Sequence, residues 1–302
     1  MKDYKFAAID IGSNAVRLLL ARVFENGEGP IFKKESLVRV PIRLGDDVFT
    51  GGSISERKKS HLIKTMSAYR LLIDAYEALD YSACATSAMR EAGNGQKVIE
   101  DIKDESGLDI NIIDGRREAE IIFEHHLDES PFKNHSALYI DVGGGSTEIT
   151  VFNGRDSVCS GSFDIGTIRI LENLVTSEQW KEMKMWLKDA TAELVPEVAV
   201  GTGGNINKIF RLVRQKENRP IARSAIKSIK KMLTSLTFNE RIRGLHLRPD
   251  RADVIVPATD IFISVMKWAG IKYIYVPQVG LSDGLIRIMY NTYRNEHQDA
   301  LA

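Results

Sequence analysis

The chain has 302 residues, 43% of them hydrophobic, enough for one large core or two ordinary ones, and two is the better match to its length. Its 41 basic and 41 acidic residues cancel, which excludes global attraction to nucleic acid or an anionic membrane and leaves any polyanion to a local patch. Two cysteines, Cys84 and Cys159, exclude a disulfide framework; without a signal peptide or an apolar run of ~18 residues, the expected location is the cytoplasm.

From the N-terminus, Ala7 to Leu20 reads as two apolar strands around the turn Gly12-Ser13-Asn14, with Asp10 before it and Arg17 after it. A turn at Gly27-Glu28-Gly29-Pro30, a strand through Val38 to Ile42 and a polar loop from Arg43 to Gly52 follow. Ser55 is placed to cap a helix, in which Leu62, Met66, Tyr69, Ile73 and Tyr76 recur at spacings of four and three and form one buried face. Ala83-Cys84-Ala85 is a short buried strand, and Thr86 or Ser87 caps the next helix with Arg90 one turn along. Amides, hydroxyls and a guanidinium would together hold a phosphate there; the alternative is an ordinary capped helix with a solvated arginine.

The strand Ile110 to Ile113 leads to a helix opened by Gly115, in which Glu118 and Glu120 point about 200° apart, so one of them at most faces a given site. Read locally, both are acids favoured by a helix N-terminus. His125, His126 and His135 have no metal-ligand spacing, and the polar stretch around Pro131 marks a boundary, giving domains over 1–126 and 127–302 with the final helix free to pack back on the first.

Tyr139 to Val151 is the second glycine hairpin, two β-rich flanks around Gly143-Gly144-Gly145-Ser146-Thr147. Its successive amides suit a phosphate. The flanking carboxylates of Asp141 and Glu148 would sit beside that phosphate only with a divalent cation between. Aligning Asp10 with Asp141 sets Gly12 on Gly143 and Arg17 on Glu148, an internal repeat that suggests two related domains, each with one loop.

A third strand runs from about Val158 to Phe163, and helical sequence from Ser177 to Leu194. Val198 to Thr202 is a buried strand meeting the turn Gly203-Gly204, able to approach a phosphate or nucleotide. Lys208 to Lys231 is strongly basic, opposed only by Glu217, and reads first as a solvated face and second as a polyanion track. Arg251 begins a long apolar helix kinked at Pro257, Tyr273 to Val276 is the last strand, and Gly280 to Leu285 starts the final helix.

Asp10-Ile11-Gly12-Ser13-Asn14, Ala85 to Arg90, Asp141 to Glu148, Gly201-Thr202-Gly203-Gly204, Arg251-Ala252-Asp253 and Gly280 to Gly284 together resemble the exopolyphosphatase/guanosine pentaphosphate phosphatase family, in family order over nearly the whole chain. The resemblance implies the actin-like ATPase superfold: two duplicated α/β domains, ribonuclease H-like, around a phosphate-binding cleft. It implies hydrolysis of the terminal phosphate of polyphosphate or the 5′ γ-phosphate of guanosine pentaphosphate, with Mg²⁺ or Mn²⁺. It assigns Glu118 as the water-activating base, overruling the local reading, and Arg90 as a phosphate ligand assisting catalysis. Asp141 and Glu148, with Asp10 as a further candidate, hold the metal. Gly12, Ser13, Asn14, Arg17, Thr86, Ser87, the run Gly143, Gly144, Gly145, Ser146 and Thr147, and Gly203 and Gly204 contact phosphate.

The chain departs from the family pattern at Ala15, where a hydroxyl is usual, at Arg116 and Arg117, where acids are frequent, and at Ser282, where arginine is frequent. The helical C-terminal domain of longer members is not matched. A small-molecule kinase of the same superfold, with Gly203-Gly204 serving adenosine, and a non-catalytic sensor of guanosine tetraphosphate or polyphosphate are the other readings. Expected partners are the polyphosphate or guanosine polyphosphate substrate, without specific nucleic acid or membrane, and a homodimer is compatible with the sequence.

Overall fold

The structure, a computed structural model, describes residues 2–25, 29–126, 135–154, 156–216 and 219–297, with backbone alone for 123–126. The expected turn at Gly27, the boundary at Pro131, Glu217 and the side chains of His125 and His126 lie outside the described residues.

Two antiparallel strands, β1 (Lys2–Ile11) and β2 (Val16–Glu25), open the chain, followed by β3 (Pro30–Val40), α1 (Leu44–Gly51), α2 (Glu56–Tyr76), β4 (Asp80–Ala85), α3 (Ser87–Glu91), α4 (Gly95–Ser106), β5 (Asn111–Ile112) and α5 (Gly115–His126). Next come β6 (Ser136–Val142), β7 (Thr147–Asn153), β8 (Asp156–Phe163), α6 (Thr167–Leu171), α7 (Ser177–Ala190), β9 (Val198–Thr202), α8 (Gly204–Val213), β10 (Ile221–Ala222), α9 (Arg223–Ser235), α10 (Phe238–Leu245), α11 (Pro249–Ala252), α12 (Ile255–Trp268), β11 (Tyr273–Tyr275) and α13 (Leu281–Glu296). The chain divides into one unit made of Met1–His125 with Leu281–Ala302 and another made of His126–Gly280.

In the first unit the sheet order is β3-β2-β1-β4-β5. The stripe expected on α2 is its buried face: Leu62, Met66, Tyr69 and Ile73 pack with Val98 and Ile102 of α4 against Ile9, Val16 and Leu18 of the sheet. Each such side chain contributes about 1.5–3 kcal/mol by leaving water. The Tyr69 hydroxyl is shared between the carbonyls of Val16 and Val38, and its burial pushes the phenol pKa up to about 12. On the opposite face Phe6, Ala8, Leu19 and Val23 pack with Ile121 and Ile122 of α5 and with Leu281, Leu285, Ile286 and Tyr290 of α13. Helices therefore cover the sheet on both sides, as a parallel β1–β4–β5 half requires.

The second unit repeats the plan with the order β10-β11-β9-β6-β7-β8. Strands β6, β7 and β8 form an antiparallel meander as β1, β2 and β3 do, and β9 lies parallel to β6 as β4 lies parallel to β1. Its core joins Leu138, Ile140, Ile149 and Val151 to Met183 of α7, Ile206 of α8, Ile226 of α9 and Phe262 of α12.

Two expectations are corrected. Residues 44–51, read as polar loop, are α1: Leu44 and Val48 are buried one turn apart, Asp46 and Asp47 occupy the first turn, and Gly52 closes the helix in the left-handed region. With two apolar anchors and two glycines in eight residues, periodicity is too short to show. Nor does Pro257 kink a long helix: the chain breaks after α11, and Pro257 is the third residue of α12, where no intrahelical donor is needed.

Candidate active site

The two glycine hairpins are built alike. Ile11 pairs with Val16 and Val142 with Thr147, leaving four-residue turns closed by Gly12 N–H to Ala15 O (3.2 Å) and Gly143 N–H to Ser146 O (2.9 Å). In each, the segment after the third strand captures the turn's carbonyls. The amides of Gly45 and Arg43 donate to Ser13 O (2.9 Å) and Asn14 O (3.0 Å). In the second turn, the amides of Thr167 and Ile168 donate to Gly143 O (3.1 Å) and Gly144 O (2.8 Å), and Arg169 Nε donates to Gly145 O (2.7 Å).

A planar trans peptide directs its N–H opposite to its carbonyl. The amides of Asn14 and Ala15 therefore point away from α1, and those of Gly144, Gly145 and Ser146 away from α6. Two successive amides in one turn and three in the other are thus presented together, the arrangement that binds anions. Gly166 permits the close packing, since a Cβ there would lie 2.3 Å from Gly144 O.

The charged residues closing the hairpins differ. Asp10 and Arg17 are register partners and form an ion pair of 2.5 Å. At the equivalent positions stand two acids, Asp141 opposite Glu148. Glu148 is 5% exposed and accepts from Ser162 Oγ (3.1 Å). Asp141 fills the space beside Gly203, whose φ of 89° and lack of a Cβ, which would lie 2.5 Å from Asp141 Oδ1, leave room for the carboxylate.

Among the described residues no three His, Cys, Asp or Glu side chains form a ready-made metal cage. The donor set still fits Mg²⁺, which usually takes one or two carboxylates with water and phosphate oxygens for the rest. Directly opposed carboxylates repel across a strand pair, and a divalent cation bound by both removes that repulsion.

Other expected residues have definite places. Ser13 and Ser87, both buried, share a hydrogen bond of 2.8 Å, so the Ser87 hydroxyl is turned to the first hairpin. Thr86 sits at the N-cap of α3 without a side-chain cap bond, while its amide donates to Ile11 O (3.1 Å). With five residues, α3 is too short to add a helix dipole to these hydroxyls. Arg90 donates to Ile113 O (2.9 Å). Thr147 is fully buried and its hydroxyl donates to Ile165 O (2.5 Å), which leaves its amide and carbonyl in the hairpin. Ser146 is buried in the turn.

Glu118 and Glu120 are both half-buried. Glu120 pairs on the surface with Arg116 (3.1 Å) and Arg117 (3.3 Å). Glu118 is half-buried in the first turn of α5, which Asp114 caps by accepting from Arg117 N (2.7 Å). Burial, then the carboxylates of Asp10 and Glu118, push the Cys84 thiol up to about 11, so both acids lie within electrostatic reach of one strand position.

Gly204 is covered by the Arg251 guanidinium, which donates to its carbonyl. Lys208 lies nearby, and its pKa is lowered by burial, then by Arg211 and Arg251. The basic run is not one face: Arg223 donates inward to Met266 O (3.0 Å) and Lys230 pairs with Asp260.

Arg43, Gly45, Gly166, Thr167 and Arg169, which orient the turns, were missed in the sequence. The segments after each third strand, Ile42-Arg43-Leu44-Gly45 and Ile165-Gly166-Thr167-Ile168, share only their isoleucine, so the repeat carries no signal for them.

Residues 31–292 match the Ppx/GppA phosphatase family. A bifunctional 3-dehydroquinate synthase/phosphatase of Fusobacterium nucleatum is 31% identical over 299 residues, covering 90% of this chain and 44% of that longer protein, so the chain spans under half of it. The guanosine-5′-triphosphate,3′-diphosphate pyrophosphatase of Photobacterium profundum is 23% identical, covering 96% of this chain and 60% of its own length. Among solved structures, an exopolyphosphatase from Cytophaga hutchinsonii superposes with a TM-score of 0.83 at 25% identity, covering 95% of this chain and 98% of that one. The two sheets are those of the actin-like two-domain fold.

Proposed function

The chain belongs to the Ppx/GppA phosphatase family, and on that premise we propose that it hydrolyses the terminal phosphoric anhydride of inorganic polyphosphate or the 5′ γ-phosphate of guanosine pentaphosphate. The supporting observation is the second hairpin, where three successive amides stand beside the opposed carboxylates of Asp141 and Glu148. Neutral amides alone would serve any anion; the adjoining acid pair favours a phosphate that arrives with a cation.

In the proposed reaction Glu118 accepts a proton from water, whose oxygen attacks the terminal phosphorus as the bridging P–O bond breaks, releasing orthophosphate and the shortened substrate. Amides of Gly144, Gly145 and Ser146 in the second hairpin, like those of Asn14 and Ala15 in the first, are donors suited to phosphoryl oxygens as charge builds on them. Arg17 and Arg90 add positive charge. Asp141 and Glu148 would hold Mg²⁺, which when bound neutralises phosphate charge.

Phosphate release from polyphosphate and from guanosine pentaphosphate under the same Mg²⁺ tests the reading. Release from at least one without any acceptor is expected; no release from either, with Mg²⁺ or Mn²⁺, overturns it. The same assay separates the kinase reading, since a kinase needs an acceptor and releases ADP.

A further inference from the structure

Lys58 is a charged residue that the proposed chemistry does not use. It is 6% exposed, on the first turn of α2, while its neighbour Arg57 is exposed. Its ammonium pairs with Asp47 (2.8 Å), stands 3.8 Å from Asp46 and donates to the carbonyl of Arg43. Arg43 is the residue whose amide holds Asn14 O, and it adopts φ 57°, ψ 51°, the left-handed region that a non-glycine residue enters at a cost. Its guanidinium is fastened to Asp46 by two bonds, Nε to Oδ2 (2.8 Å) and Nη2 to Oδ1 (3.1 Å). Asp47 in turn accepts from the Ser55 amide (3.1 Å) at the cap of α2.

We infer that Lys58 is a positioning residue for the first phosphate-binding turn. By gripping the Arg43 carbonyl from one side while Asp46 grips its guanidinium from the other, it holds Arg43 in the left-handed conformation that aims the Arg43 amide at Asn14 O. That bond fixes the Asn14–Ala15 peptide, and with it the Ala15 N–H directed away from α1. Ala15 brings no hydroxyl to the turn, so the direction of this amide matters more here than where a serine or threonine also contributes. A lysine in place of an apolar residue is costly to bury unless it is paired and hydrogen-bonded, and all its partners lie on the segment that orients the turn.

The inference rests on the hydrolase reading for its kinetic arm alone. Lys58→Met leaves the half-buried Asp47 without its cation and is expected to lower Tm, so the decisive variant is Lys58→Met/Asp47→Asn. It removes both charges while the amide oxygen introduced at position 47 still accepts from the Ser55 N–H. Expected is a Tm close to wild type, a KM for polyphosphate raised about tenfold, as for loss of one charge-assisted contact, a kcat changed less than about twofold, and faster hydrogen exchange at the Arg43 and Gly45 amides that hold the turn. Recovery of KM and amide protection together with Tm would show that Lys58 only balances buried charge, and overturns the inference. Should the wild-type protein release no phosphate, the hydrolase reading fails, and exchange at Arg43 and Gly45 still decides the role of Lys58.

Discussion

The two glycine hairpins have one backbone and opposite electrostatics. Both turns are four residues long, both are closed by the same amide-to-carbonyl bond, and both have their carbonyls captured by the segment after the third strand. Yet Asp10 faces Arg17 where Asp141 faces Glu148, so one hairpin neutralises its own acid and the other sets two acids against each other. A duplicated fold thus supplies two turns of outward amides, and one substituted register position, Arg17 against Glu148, sets them apart: a cation built into the chain at one, and at the other an acid pair that in the proposed reaction would hold a divalent cation. The anchors also differ. The second turn is held by α6 through Thr167, Ile168 and Arg169, the first by Gly45 of α1 and by Arg43 with the ion network around Lys58 behind it.

The largest expected effect tests whether the base belongs with the first hairpin. Glu118→Gln should cut hydrolysis by about 10² or more while substrate binding persists, and turnover near wild type would move the base, with Glu120 next in line despite its arginine partners. Next, the hairpins should part in metal dependence. Asp141→Asn should raise the Mg²⁺ needed for half-maximal rate about tenfold or more and lower the maximum, whereas Asp10→Asn should leave the titration in place because Arg17 holds that carboxylate. Equal shifts in the two would put Asp10 in the metal shell and end the distinction. Arg169→Met, which strips Gly145 O of its donor, should raise KM about fivefold; an unchanged KM would mean that the helix amides suffice.

The smallest effect is one of pH. Burial pushes the Asp47 carboxyl up, but the Lys58 ammonium with the Ser55 hydroxyl and amide outweigh it, and its pKa lies below the ordinary value. A depressed folded pKa stabilises above the unfolded value, about 4, and that contribution is lost as pH falls through the folded value. Amide protection at Arg43 and Gly45, which hold the first turn, should therefore fall in acid before that at Thr167 and Ile168, which hold the second; simultaneous loss would show that the ion network does not govern the first turn.

Much of this was legible in the residues. The strand-turn-strand pattern and its repeat follow from β-branched flanks around glycines, and the α2 stripe from its spacing, because these are local signals with a fixed period. The anchors were not, since a backbone amide that holds a carbonyl far away along the chain leaves no letter in the sequence: Gly45 and Thr167 act through N–H groups that nearly any residue possesses. Charge counting failed for a related reason. Lys208 to Lys231 looks uniform as letters, but Arg223 and Lys230 are turned to partners on α12 that only the packing reveals.

The return of α13 to the first unit has a consequence for the order in which the protein is made. The face of the first sheet that carries Phe6, Ala8, Leu19 and Val23 is covered by Leu281, Leu285, Ile286 and Tyr290, and the Tyr290 hydroxyl donates to Glu25, 265 positions earlier. A ribosome delivers β1 and β2 well before their α13 cover, whereas the second unit is continuous and has its core once Gly280 has emerged. The unit whose strands are made earlier is therefore the one completed later, and in the interval its apolar face lacks the cover that α13 provides, the kind of exposure that favours aggregation.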